Sequence, residues 1–100
     1  MANTLVLGGG FEGSSLCKAL VKGGHNVYSL DNYDNSRPML EENYYNDIEY
    51  TNGASKDIAK LYNYPDLKFD YVFYQDDTLN NICNEVLNFV KKHNAELIGY

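Results

Sequence analysis

The chain has 100 residues, 44% of them hydrophobic and 22% charged, with a formal charge of −6. That is one globular domain's worth of sequence, too short for a second core and too apolar for disorder. Eight scattered Lys and Arg cannot build a surface that grips phosphate backbones, no apolar run approaches the roughly 20 residues of a membrane span, and the uncharged start leading into Gly8-Gly9-Gly10 is no signal peptide, so a cytoplasmic chain with no nucleic-acid or membrane partner is expected.

Strand and helix patterns alternate along the whole chain. Thr4-Leu5-Val6-Leu7 is a short apolar run stopped by glycines, the pattern of a buried strand. Leu16, Cys17, Leu20 and Val21 recur at helical spacing, and Gly23-Gly24 ends that helix. Asn26–Leu30 is a second strand, closed by Asp31. The Asn-rich stretch 32–47 is polar, with Pro38 placed to open a short helix running to Tyr45. Ile48–Thr51 alternates as a third strand, shorter and more exposed than the others.

A brief helix over Asp57–Tyr62 and a turn at Tyr64-Pro65-Asp66 precede the strongest strand signal, Phe69–Tyr74, which is rich in aromatic and β-branched residues. Leu79, Ile82, Cys83, Val86 and Val90 then mark one face of a helix, with Thr78 as its N-cap and Lys91, Lys92 and His93 in its last turn. Glu96–Tyr100 is a fifth strand. Short connections between alternating strands and helices require a parallel sheet. The expected architecture is α/β: a doubly wound, Rossmann-like five-stranded parallel sheet of order 3-2-1-4-5 with helices on both faces, one domain over residues 1–100. The helices carrying Cys17 and Cys83 then lie on opposite faces, so no disulfide joins them. Neither cysteine belongs to a C-x-x-C pair or has a neighbouring His, so both read as packing residues and no metal site is expected.

Gly8-Gly9-Gly10-Phe11-Glu12-Gly13 matches G-x-G-x-x-G directly after a strand and directly before a helix. The first glycine permits a tight turn, the second lets backbone amides approach a pyrophosphate, and the third lets helix and strand pack closely. Asp31, at the end of the second strand, can accept hydrogen bonds from an adenosine ribose, which favours NAD over NADP.

The segment Gly10–Leu20, followed by Gly24-His25-Asn26-Val27 and Leu30-Asp31-Asn32-Tyr33, resembles the opening of the extended short-chain dehydrogenase/reductase family, which includes the NAD-dependent nucleotide-sugar epimerases and dehydratases. Phe69–Phe73 is similar to that family's fourth strand and Val86–Ile98 to its helix leading into strand five. The resemblance implies NAD as cofactor, held by Gly8, Gly10, Phe11, Glu12, Gly13, Asp31, Asn32, Ala54, Ser55, Tyr74 and Gln75, within about half of the family's usual chain. Glu12 stands where the family pattern has an apolar residue, and a carboxylate there repels a pyrophosphate. Ala54-Ser55 stands where the family has an acid-containing pair, and Asp76-Asp77 adds charge after strand four.

The family's catalytic residues resemble a Ser near the end of strand five and a Tyr-x-x-x-Lys on the next helix. The string Tyr64-Pro65-Asp66-Leu67-Lys68 has that spacing, but Pro65 places it in a turn, so Tyr64 and Lys68 share no helix face. No catalytic residue is assigned, and the chain by itself is expected to bind rather than turn over. A second resemblance, to the regulatory Rossmann domains of potassium channels, rests on the glycine spacing, Asp31, Ala54-Ser55 and Asp76-Asp77. It implies a non-catalytic nucleotide sensor; a ligand-free interaction scaffold is the third reading. Leu7, where an acid would precede the glycine loop, argues against a methyltransferase. The ten tyrosines suit an interface, and an exposed fifth strand is expected to be covered by a second copy or by a C-terminal half of the protein.

Overall fold

A computed structural model describes residues 1–34, 44–75 and 82–100. Its elements are β1 (Asn3–Leu7), α1 (Phe11–Lys22), β2 (Asn26–Asp31), β3 (Ile48–Asn52), a 3-10 turn (Ser55–Asp57) running into α2 (Ile58–Leu61), β4 (Tyr71–Tyr74), α3 (Asn84–His93) and β5 (Glu96–Gly99). The strands form one parallel sheet of order β3-β2-β1-β4-β5, as the alternating pattern requires. The helix expected after Pro38 and the N-cap expected at Thr78 lie outside the described residues.

Alternating side chains of each strand point to opposite faces. On one face, Val6, Val27 and Ile48 pack against α1 through Cys17, with Leu16, Leu20 and Val21 at the margin. On the other, Leu5, Leu30 and Val72 meet Ile58, Tyr62, Val86 and Phe89 from α2, its C-terminal cap and α3. Cys17 and Cys83 are both free and belong to different faces. Burial pushes the Cys17 thiol up to about 11, so it stays protonated and inert.

The second face is aromatic. Phe69 receives the edges of Tyr28 and Tyr62 at centroid distances of 5.1 and 5.3 Å, both at 89°, the edge-to-face geometry that the ring quadrupole favours. The Tyr62 hydroxyl is buried beside Thr51 without a hydrogen bond of regular geometry, and burial pushes its pKa up to about 12.

Two elements are shorter than their apolar patterns. The fourth strand begins at Tyr71 rather than Phe69: the Phe69 amide leaves the ladder and donates to His93 Nδ1 at 3.1 Å, while its ring fills the core. The last helix begins at Asn84, because Cys83 is its extended N-cap (φ −80°, ψ 156°), whose carbonyl accepts from the Val86 and Leu87 amides. Ile82 and Cys83 fit the periodic pattern because they face the same way as Val86, but they do so from the chain entering the helix. Phe89, absent from that pattern, is its principal buried residue together with Val86.

His93 closes α3 with its ring 4.1 Å from that of Phe89. Its pKa is lowered by burial first, then by Lys92 and Lys68. The folded state therefore holds the proton less tightly than the unfolded chain. The resulting stability is complete above the unfolded value near 6.5 and is lost as pH falls through the lower folded value. Urea unfolding between about pH 7 and pH 5 should show wild type losing more stability than His93→Asn, whose Oδ1 keeps an acceptor at the Phe69 amide without titrating. Parallel pH profiles for the two proteins would show that His93 carries none of this dependence.

Candidate functional site

In an open parallel sheet, the loops at the carboxyl ends of the strands diverge where the strand order reverses, leaving a crevice. Here the reversal falls at β1, flanked by β2 and β4. A cleft of about 300 Å³ lies at that end, near the lower limit for a small-molecule site. Leu7 and Gly8 line it from β1, Leu30, Asp31 and Asn32 from β2, and Gly53, Ala54 and Ser55 from the chain after β3. Tyr74 and Gln75 contribute from β4, and Ile82, Cys83 and Val86 from the entry to α3.

The glycine loop is shaped by close contacts that exclude side chains. Gly8 has φ +128°, a conformation that disfavours any L side chain. A Cβ on Gly13 would stand 2.2 Å from the Gly8 carbonyl oxygen, so only glycine lets the first turn of α1 rest on the end of β1. A Cβ on Gly9 would strike the Tyr33 ring at 2.5 Å. Tyr33 is itself pinned: its hydroxyl shares a short hydrogen bond with Ser29, and its amide donates to Asn52 Oδ1 at 2.8 Å. Burial first, against the Ser29 hydrogen bond, pushes its phenol well above the usual range.

Asp31 connects loop and cleft. Its Oδ2 accepts the Gly9 amide at 2.8 Å and its Oδ1 accepts the Asn32 amide at 2.8 Å. These two bonds orient the carboxylate at the edge of the cleft that it lines. α1 starts at Gly10 with no side-chain cap. Its first-turn amides have no partner within the helix, and the helix dipole makes that end favourable to an anion.

Gly8, Asp31, Asn32, Ala54, Ser55, Tyr74 and Gln75 thus converge on one cleft. Gly10, Phe11, Glu12 and Gly13 do not line it. Gly13 is buried beneath the loop, whereas Phe11 is 72% exposed and Glu12 is exposed in the first turn of α1. Asp76 and Asp77 lie outside the described residues. The sequence pattern missed Leu7, Leu30, Gly53, Ile82, Cys83 and Val86 in the lining, and Tyr33 against Gly9. The Tyr64/Lys68 pair stands away from the cleft: Tyr64 is in a turn, its carbonyl accepting from the Leu67 amide, and the Lys68 carbonyl binds Asn3 at the opposite, amino end of β1. Among the described residues no group of three His, Cys, Asp or Glu could hold a metal ion, and no helix is long and apolar enough to cross a membrane.

No family model matches the chain, and no curated protein does. Solved structures do. A UDP-galactose 4-epimerase superimposes with a TM-score of 0.69 and 23% identity over 96% of this chain and 36% of that one. The Bordetella bronchiseptica enzyme WbmH, solved in complex with NAD+, superimposes with a TM-score of 0.74 and 24% identity over 100% of this chain and 38% of that one. The chain has their Rossmann fold. It spans a little over a third of the length of either protein, and the neighbours include a nucleotide-sugar epimerase, the kind that the sequence motifs resemble.

The glycines separate into those that are required and those that are tolerated. Gly13→Ala forces β1 and α1 apart and should lower the urea stability by about 1–3 kcal/mol, the usual cost of overpacking a tight site. Gly10→Ala, with nothing within 4 Å of the added carbon, should stay within about 1 kcal/mol of wild type. Equal losses at both positions would contradict the close-contact account.

Proposed function

We propose that this chain is the NAD-binding portion of a nucleotide-sugar epimerase or dehydratase of the extended short-chain dehydrogenase/reductase type. The observation that carries the reading is the convergence of Gly8, Asp31 and Ser55 on one cleft at the carboxyl end of β1. An NAD+ complex of a neighbour with the same fold adds support.

The donor set fits a dinucleotide in three respects. Asp31, already oriented by the Gly9 and Asn32 amides, accepts the ribose hydroxyls. Leu7, Ile82 and Cys83 offer apolar surface to a base, with Ala54 and Ser55 beside them. The uncapped start of α1 presents amide donors to the pyrophosphate. None of the described cleft-lining residues is Lys or Arg, and Asp31 at the end of β2 suits a free 2′-hydroxyl, so NAD is favoured over NADP. Bound NAD would supply a hydride acceptor. The described residues of this cleft would bind and orient it, and binding is the activity assigned to this chain.

Calorimetric titration with NAD tests the reading directly. Saturable binding is expected, and the absence of heat at about millimolar cofactor, the weak end of specific binding, would overturn it. Asp31→Ala removes a charge-assisted acceptor and the loop's anchor together, so affinity should fall roughly ten- to hundredfold. Glu12→Gln removes a negative charge from the phosphate-facing helix end and should tighten NAD by roughly two- to fivefold at low salt, with the gain shrinking as salt rises. Unchanged affinity in Glu12→Gln would remove Glu12 from the electrostatics of the site.

A further inference from the structure

The glycine loop has a second neighbour besides Asp31. Tyr100 follows β5, and its amide continues the parallel pairing by donating to the Tyr74 carbonyl at 2.9 Å. Its side chain lies on the α1 face, at the margin of the cluster formed by Val6, Cys17, Val27 and Ile48. The phenol hydroxyl donates to the Leu7 carbonyl at 2.9 Å, on the last residue of β1. The same oxygen would stand 2.6 Å from a Cβ on Gly8 and 3.1 Å from a Cβ on Gly13. One hydroxyl therefore touches the end of β1, the turn that leaves it and the first turn of α1. Gly8 and Gly13 lack side chains where that oxygen sits.

We propose that Tyr100 is a positioning residue of the pyrophosphate end of the cleft, fixing through its hydroxyl how the glycine loop presents the first-turn amides of α1. This rests on the NAD-binding reading for its ligand, but the contact itself exists without one. The physical need is clear. Amides that bind a pyrophosphate must be held to a fraction of an ångström, and glycine is the residue least able to hold its own backbone conformation. Asp31 ties the loop at Gly9, on the β2 side. Tyr100 ties it at Leu7, from the β5 side. The two anchors act at opposite ends of the site: Asp31 also faces the ribose, whereas Tyr100 does not line the cleft and is argued to act on a ligand through the loop.

That difference gives the test. Tyr100→Phe keeps the ring and removes only the hydroxyl. Wild type and variant are titrated with NAD, ADP and adenosine, and amide hydrogen exchange is measured on both proteins without ligand. NAD and ADP should weaken roughly three- to tenfold in the variant, the worth of one hydrogen bond, while adenosine, which lacks phosphates, stays within about twofold. Exchange at Gly9–Gly13 should accelerate while the β2 amides keep their protection. Unaltered ADP affinity, an equal loss for adenosine, or unaltered exchange in the loop would overturn the proposal. A general fall in melting temperature with exchange accelerated throughout the sheet would overturn it too, by making Tyr100 a core residue. Failure of wild type to bind NAD or ADP would sink the cofactor reading instead, and the exchange measurement would still decide what Tyr100 does to the loop.

Discussion

The contact between Gly13 and the Gly8 carbonyl is the constraint on which the site depends. With a Cβ position only 2.2 Å from that oxygen, no other residue lets α1 start directly against the end of β1. The next buried position of α1 is Cys17, one turn on, packed against the sheet. A helix held at Gly13 and Cys17 has both its distance and its direction set. That aims its uncapped N-terminus across the carboxyl edge of the sheet, where Asp31 and Ser55 also lie. The backbone geometry beside the cleft is thus a consequence of packing.

The two faces of the sheet solve different problems. On the α1 side the buried residues are Val6, Cys17, Val27 and Ile48, and the rings of Tyr50, Phe73 and Tyr100 stand only at the margin. On the α2–α3 side the helices stand off far enough for a layer of Tyr28, Tyr62, Phe69 and Phe89. Large rings make up for short helices: α2 is four residues long, far too short to be stable by itself, and is held by the side chains it buries. Near the cleft this layer gives way to Leu7, Leu30 and Val86, so the apolar wall of the cleft is the upper margin of the core.

Much of this was legible in the sequence because it follows from local rules. Alternating strand and helix patterns with short links leave few topologies, and the order β3-β2-β1-β4-β5 is among them. Asp31, Ala54, Ser55, Tyr74 and Gln75 could be placed at one edge because each stands at or just beyond the carboxyl end of a strand. Illegible were contacts made across the chain. Tyr33 against Gly9, Tyr100 against Leu7 and Phe69 against His93 join residues whose pairing no periodicity encodes. The start of α3 was misplaced for a related reason. Apolar spacing reports which way a side chain faces, and Ile82 and Cys83 face the cleft's wall in extended backbone as they would have in a helix. Gly10, Phe11 and Glu12 were assigned by motif position, which does not distinguish a residue that lines the cleft from one that shapes the turn beside it.

The two histidines show how the same fold problem is solved twice. In each β–α unit the helix must return the chain to the starting edge of the sheet. After α1, His25 Nδ1 accepts the Ala2 amide at 3.1 Å, immediately before β1. At the end of α3, His93 Nδ1 accepts the Phe69 amide at 3.1 Å, shortly before β4. In both, the imidazole closes the unit by binding the start of the strand from which that helix departed. The donors are backbone amides that precede the ladder, groups that would otherwise need water or a turn. An accepting nitrogen carries no proton, so each closure requires Nδ1 to be unprotonated. The amino edge of the sheet is thereby fastened by side chains, whereas the carboxyl edge is shaped by glycines. At the amino edge these imidazoles satisfy backbone amides, whereas at the carboxyl edge the first-turn amides of α1 have no partner within the helix.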